Sequence, residues 1–217
     1  VHPVLTVILA MLSGALAGAC SGIIHTRLKV NPLLAGILVM TALYSINLLL
    51  LGRPNLPLLD VSSIFTMLPG GSALAKTIIS LAICTILVFL LLYYLLRTDF
   101  GIAMRATGNN ETMVKAMGVN VSSMKITGLA LANGLTALSG SLITQYQGFA
   151  DINMGIGIVV SGLGAVMIGE TFLPAKSSRN LFAQLLVILA GCILFRLAIA
   201  VALSAGVDPN YLRLITA

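Results

Sequence analysis

Residues 77–96 read TIISLAICTILVFLLLYYLL, a run without a charge, a proline or a glycine. At about 1.5 Å of rise per residue, a helix of that length reaches across the roughly 30 Å hydrocarbon core of a bilayer. Lys76 and Arg97 bracket it, as charged residues bracket a buried span. Residues 4–24, 33–51, 126–147 and 181–203 read the same way. A further stretch, 156–169, is shorter and rich in glycine, which fits either a short tilted span or a re-entrant segment. The whole chain of 217 residues is 59% hydrophobic and 8% charged. A soluble domain carries about 25% charged residues, so the chain has too few charges to face water. The expected fold is all-α: a polytopic transmembrane helical bundle with about six crossings, treated as one domain over residues 1–217.

The net charge of +6 does not point to nucleic acid, because the basic residues are scattered between apolar stretches and form no run. They serve instead to orient the chain. With six alternating spans, one set of loops holds Arg27, Lys29, Arg97, Arg105, Lys115, Lys125, Lys176 and Arg179, and the other holds Arg53, Lys76 and Arg213. The richer set is expected in the cytoplasm, which also favours 156–169 as a full crossing. The external loops are then 52–76, broken by Pro54, Pro57, Pro69, Gly70 and Gly71, and 148–155. The chain begins Val1-His2-Pro3 and stops within a new apolar stretch, so both ends are expected to be cut from a longer protein.

Little in the sequence supports enzyme chemistry. Cys20, Cys84 and Cys192 fall inside apolar stretches without metal-ligand spacing, and His2 and His25 have no partner pattern. No metal site and no catalytic residue is expected. Residues 70–77, GGSALAKT, approach a phosphate-binding loop, but Ala75 stands where the motif needs glycine. Asn110-Glu-Thr112 and Asn120-Val-Ser122 match glycosylation sequons on the cytoplasmic side, where they carry no weight.

Small residues mark helix contacts. Gly14, Gly18 and Gly22 repeat every four residues on one face of the first helix, which lets another helix approach closely. That helix belongs either to the same subunit or to a second one. Ala130, Gly134, Ala137 and Ser141 form a similar face further on. Polar groups in lipid are costly and turn toward protein or water. Ser45, Asn47, Asn133, Thr136, Ser139, Gln145 and Arg196 are therefore candidates for lining a pathway, with hydrogen bonding between helices as the alternative. Arg196 has three options: reaching the external surface, pairing with Asp151 or Asp208, or attracting an anionic group.

The longest polar stretch is 97–125, RTDFGIAMRATGNNETMVKAMGVNVSSMK. It holds a short helix with both ends marked. Gly108 or Asn109 caps the start, Glu111 suits the first turn, and Gly118 sits where a left-handed cap falls. Lys115 lies four residues after Glu111, the favoured order for a helical ion pair. Met113, Val114 and Met117 form an apolar face. So short a helix is unstable alone and must dock, either on the membrane surface or in a groove of a cytoplasmic partner.

The positions Gly101, Arg105-Ala106, Gly108-Asn109, Ala116, Gly118 and Lys125 resemble the cytoplasmic loop of permeases of ATP-binding-cassette importers, in the branch for branched-chain amino acids and ribose. The resemblance extends to 25–38 and 168–172. Residues 31–47 and 168–172 are most similar to a subgroup linked to aromatic amino acid uptake. It implies a multi-pass permease of the bacterial inner membrane that moves a small solute, an amino acid, by alternating access. The short helix would be a coupling helix docked on a separate ATPase subunit, a role carried to Asn109, Glu111, Met113, Val114, Lys115 and Met117. ATP and Mg would bind that subunit, and this chain would hold no cofactor. A solute-binding protein would meet the external loops, and a second permease subunit, forming a homodimer, would complete the pathway. The rival readings are a secondary transporter driven by an ion gradient and a membrane scaffold that does not transport. No carboxylate lies well inside a long span, which argues against proton coupling.

Overall fold

A computed structural model describes residues 2–58, 63–66, 72–155, 158–172, 181–204 and 206. The helices are α1 (Pro3–Arg27), α2 (Pro32–Leu51), α3 (Ala73–Arg97), α4 (Asp99–Asn109), α5 (Glu111–Ala116), α6 (Val121–Gln147), α7 (Ile158–Phe172) and α8 (Leu181–Ser204). Five of them, α1, α2, α3, α6 and α8, are long and apolar enough to cross a membrane. The 15 residues of α7 span about 22 Å, short of the hydrocarbon thickness. Residues 156 and 157 of its expected segment lie outside the described residues, as do Lys176, Arg179, Asp208 and Arg213. The chain divides into two compact units, Val1–Ile152 and Asn153–Ala217.

The first unit is built on the antiparallel pair α1–α6. Cβ atoms added to the α1 glycines would meet α6 at once. One on Gly14 would lie 2.7 Å from the Asn133 carbonyl oxygen, one on Gly18 2.9 Å from Ala130 Cα, and one on Gly22 2.8 Å from Ile126 Cα. No side chain fits at such distances, so glycine is required for the two backbones to meet. From the other side Gly134 meets the Met11 carbonyl oxygen, at 3.2 Å from its added Cβ. The glycine face of α1 therefore packs within the subunit.

Outside this seam the long helices expose large side chains such as Leu16, Leu49, Leu90 and Ile86. That surface is stable in lipid and costly in water. Cys20 and Cys192 are exposed with it.

The two ends of the first unit differ in charge. The C-terminus of α1 and the N-terminus of α6 meet at one end, with α4 packed beside them. This end carries Arg27, Lys29, Arg97, Arg105, Lys115 and Lys125, whereas Arg53 and Lys76 lie at the other. The asymmetry has the sense expected of cytoplasmic and external faces.

At the end opposite the basic cluster two three-residue strands, β1 (Asn55–Pro57) and β2 (Phe149–Asp151), pair antiparallel with Leu56 opposite Ala150. The sequence reading contained no strand. Gly148, in the left-handed conformation at φ 76°, ends α6 and turns the chain into β2. Phe65 packs edge-on against Tyr146 with ring centroids 6.1 Å apart.

In the second unit α7 and α8 run antiparallel and cross where small residues meet. A Cβ on Gly191 would lie 2.7 Å from Gly169 Cα, and one on Gly169 2.8 Å from the Val187 carbonyl oxygen.

A capped helix at the basic end, a candidate docking site

The loop between α3 and α6 contains two helices, where the sequence reading placed one. Thr98 joins α3 to α4. Its hydroxyl donates to the Leu95 carbonyl (2.6 Å) and accepts from the Gly101 amide (3.3 Å). Gly101 is buried against the end of α3, and a Cβ there would overlap the backbone of Leu95 and Leu96. The elbow is therefore tight enough to require glycine. Asp99 adds a favourable charge in the first turn of α4.

The start of α5 is capped by Asn110, not by Gly108 or Asn109. Asn110 is extended (φ −153°), and its Oδ1 accepts from the Met113 amide at 3.0 Å. At the other end Gly118 is left-handed, at φ 85°. Its amide donates to the Lys115 carbonyl (3.1 Å), and the Val119 amide donates to the Val114 carbonyl (3.3 Å). These two bonds form the Schellman arrangement that closes a helix C-terminus. Asn120 then caps α6 through the Ser123 amide (3.2 Å). Both sequon asparagines are thus helix caps.

The expected apolar face of α5 is split. Val114 is 3% exposed and anchors the helix, whereas Met113 and Met117 are 61% and 70% exposed. Glu111 does not pair with Lys115. It pairs with Lys125 of α6, with Nζ–Oε1 at 2.6 Å. Burial of Val114 contributes about 1.5–3 kcal/mol, the Asn110 cap about 1 kcal/mol, and an ion pair this exposed about 0–1 kcal/mol. The anchor and the caps therefore hold α5 folded, and the ion pair sets how it sits against α6. Asn109, Lys115, Met113 and Met117 remain exposed.

Beside α5 a cleft of about 860 Å³ opens toward the α1–α2 turn, lined by His25, Lys29, Glu111, Lys115 and Lys125 among others. His25 Nδ1 is 2.8 Å from the Val30 carbonyl and fixes that turn.

Within the first unit the candidate pathway residues are not brought to one point. Ser45 and Asn47 are exposed on α2. Asn133, Thr136 and Ser139 are exposed on α6, where Asn133 and Thr136 bond carbonyls of their own helix at 3.0 Å each. The Gln145 amide is engaged in structure: Oε1 accepts from the Ile64 amide (3.0 Å) and Nε2 donates to the Pro3 carbonyl (3.4 Å). Arg196 is exposed on α8. The near-match to a phosphate-binding loop is a helix start. Ser72 caps α3 through the Ala75 amide (3.4 Å), and Gly70 and Gly71 lie outside the described residues. Among the described residues no group of three His, Cys, Asp or Glu side chains is placed to hold a metal ion.

The Gln145 bridge to Pro3 of α1 matches the hydrogen-bonding alternative that the sequence reading set beside a pathway role, whereas the Gly101 elbow and the Gly169–Gly191 crossing had no assigned role. Gly101 and Gly169 had a signal in the sequence only through their places in the stretches of family resemblance.

Residues 1–216 match the family described as branched-chain amino acid transport system / permease component. A tyrosine transport system permease protein of Clostridioides difficile is 38% identical over 220 residues, covering 100% of this chain and 70% of that protein. An uncharacterized protein of Rickettsia prowazekii is 31% identical, covering 96% of this chain and 73% of its own length. A ribose import permease protein of Haemophilus influenzae is 30% identical, covering 82% of this chain and 55% of its own length. No solved structure matches. The chain is a multi-pass inner-membrane protein and belongs to the branched-chain amino acid transport system permease component family.

Proposed function

We infer that the chain is the permease subunit of an ATP-driven importer that carries an aromatic amino acid into the cytoplasm. The observation that carries this reading is α5. The helix is closed at both ends and anchored through Val114, yet it leaves Met113 and Met117 exposed at the basic, cytoplasmic end. Flexible, polarizable methionines on a rigid stub suit insertion into a partner's groove. The partner is a separate ATPase subunit, which holds ATP and Mg. The solute class follows the likeness to the tyrosine permease.

The exposed polar positions Asn133, Thr136 and Ser139 on α6 support a water-facing side. A second permease subunit would complete the pathway there. The β1–β2 ladder braces the external loops that a solute-binding protein would meet.

The test is uptake of labelled tyrosine into proteoliposomes holding the full-length permease, its ATPase subunit and the binding protein. Uptake that requires ATP supports the reading. Uptake driven by a sodium gradient without ATP would assign a secondary transporter instead.

A further inference from the structure

The assignment of α5 as the docking helix leaves open how its movement reaches the membrane spans. Covalently, α5 joins α6 only through Met117 to Asn120, a turn that includes the left-handed Gly118. A turn absorbs displacement through its dihedral angles and is a poor strut. A tertiary contact that bypasses it must be directional to carry motion. Val114 is buried, but an apolar side chain slides without a fixed partner. The Glu111–Lys125 ion pair, at 2.6 Å, is directional and joins the first turn of α5 to the second turn of α6.

The placement of Lys125 makes this pair informative. From Lys125, α6 continues unbroken to Gln147. At its far end Gln145 bonds the Pro3 carbonyl and the Ile64 amide, and β2 pairs with β1. Along the way Ile126, Ala130 and Asn133 lie against the α1 glycines. A displacement applied at Lys125 is therefore delivered to a 27-residue rod, about 40 Å long, that is fixed to the external cap. Lys125 is 27% exposed and Glu111 56%, so the pair has little worth as a brace for the whole fold. Its partner choice matters more. Lys115, on Glu111's own helix, is passed over in favour of a residue on the rod.

We propose that Lys125 is a positioning residue for energy coupling: its ion pair with Glu111 latches the docking helix to α6 and makes α6 the element that carries ATPase-driven motion to the external side. This rests on the importer reading above.

The test uses the full-length permease with its ATPase subunit in proteoliposomes, measuring solute transported per ATP hydrolysed alongside retention of the ATPase through purification. Lys125→Met is expected to keep the ATPase bound but lower the transport-to-hydrolysis ratio about two- to fivefold, the effect of losing about 0.5–1 kcal/mol of coupling. Lys125→Arg keeps the ratio. The double variant Glu111→Lys with Lys125→Glu restores it relative to either single change, which a purely structural role for Lys125 would not produce. A normal ratio in Lys125→Met, or a reversed pair no better than the single variants, overturns the latch while leaving the importer reading intact. An unmodified permease that binds no ATPase overturns both.

Discussion

Gly18 of α1 sits so close to Ala130 of α6 that an added Cβ would lie 2.9 Å from the Ala130 Cα. The contact recurs one turn to either side, at Gly14 and Gly22, and close backbone packing of this kind is a principal source of helix association in lipid. Gly18→Leu is expected to destabilise the protein by several kcal/mol, above the about 1–3 kcal/mol of ordinary overpacking, because backbone has to move. Gly36→Leu on α2, where nothing lies within 4 Å, is the matched control and should be neutral. Thermal unfolding in detergent reads both. Equal midpoints would mean that α1 and α6 do not pack through this seam.

Gln145 separates a structural from a pathway role. Both ends of its amide are bonded, to Ile64 and Pro3. Gln145→Leu should cost about 1–3 kcal/mol through the unpaired Ile64 amide and Pro3 carbonyl, with affinity for the solute unchanged in the folded fraction. A lost affinity at unchanged stability would return Gln145 to the pathway.

The Asn110 cap gives a local prediction. Asn110→Ala should remove about 1 kcal/mol from α5 and speed hydrogen exchange at residues 111–118 about fivefold, leaving α6 protected. Asn110→Asp should behave like the parent. Unchanged exchange in Asn110→Ala would show that Val114 alone holds the helix.

Charge in the cleft beside α5 makes its two ion-pair partners unequal. Among the described residues Glu111 is the one carboxylate lining it, against Lys29, Lys115, Lys125 and His25. Glu111→Gln leaves like charges facing each other, whereas Lys125→Met leaves Glu111 near other lysines. Glu111→Gln should therefore expose α5 to exchange more than Lys125→Met does, and the gap should shrink as salt screens the lysines. Equal effects at all salt concentrations would contradict this.

The long apolar runs made the five crossing helices legible from sequence, because lipid selects for composition and length rather than for a pattern of contacts. The charge asymmetry and the Gly14–Gly22 seam were legible for the same kind of reason. The loop between α3 and α6 was legible only in outline. Gly108, Asn109 and Asn110 are all acceptable caps, so the cap fell one residue late. Helix α4 is short and contains Gly101 and Gly108, which hid it. The i, i+4 rule named Lys115 as the partner of Glu111, but tertiary structure brought Lys125 closer. Which of Met113, Val114 and Met117 turned inward depended on tertiary packing, and no local pattern records that. The β1–β2 ladder joins segments 94 positions apart at Leu56 and Ala150, and the Gln145 bridge reaches back 142 residues to Pro3. The ladder leaves no local signal, and a glutamine in an apolar span shows only that a partner is needed, not which one.

The proposed importer depends most directly on α5 being the surface that holds an ATPase. The decisive measurement is purification of the full-length permease from its native membrane in mild detergent, with copurifying proteins quantified by mass spectrometry, for the parent and for Met113→Asp with Met117→Asp. Both methionines are exposed, so the double variant should fold and insert normally. The expected result is a stoichiometric ATPase subunit with the parent and its loss from the variant. An ATPase retained by the variant, or absent from a parent preparation that still transports, would contradict the account.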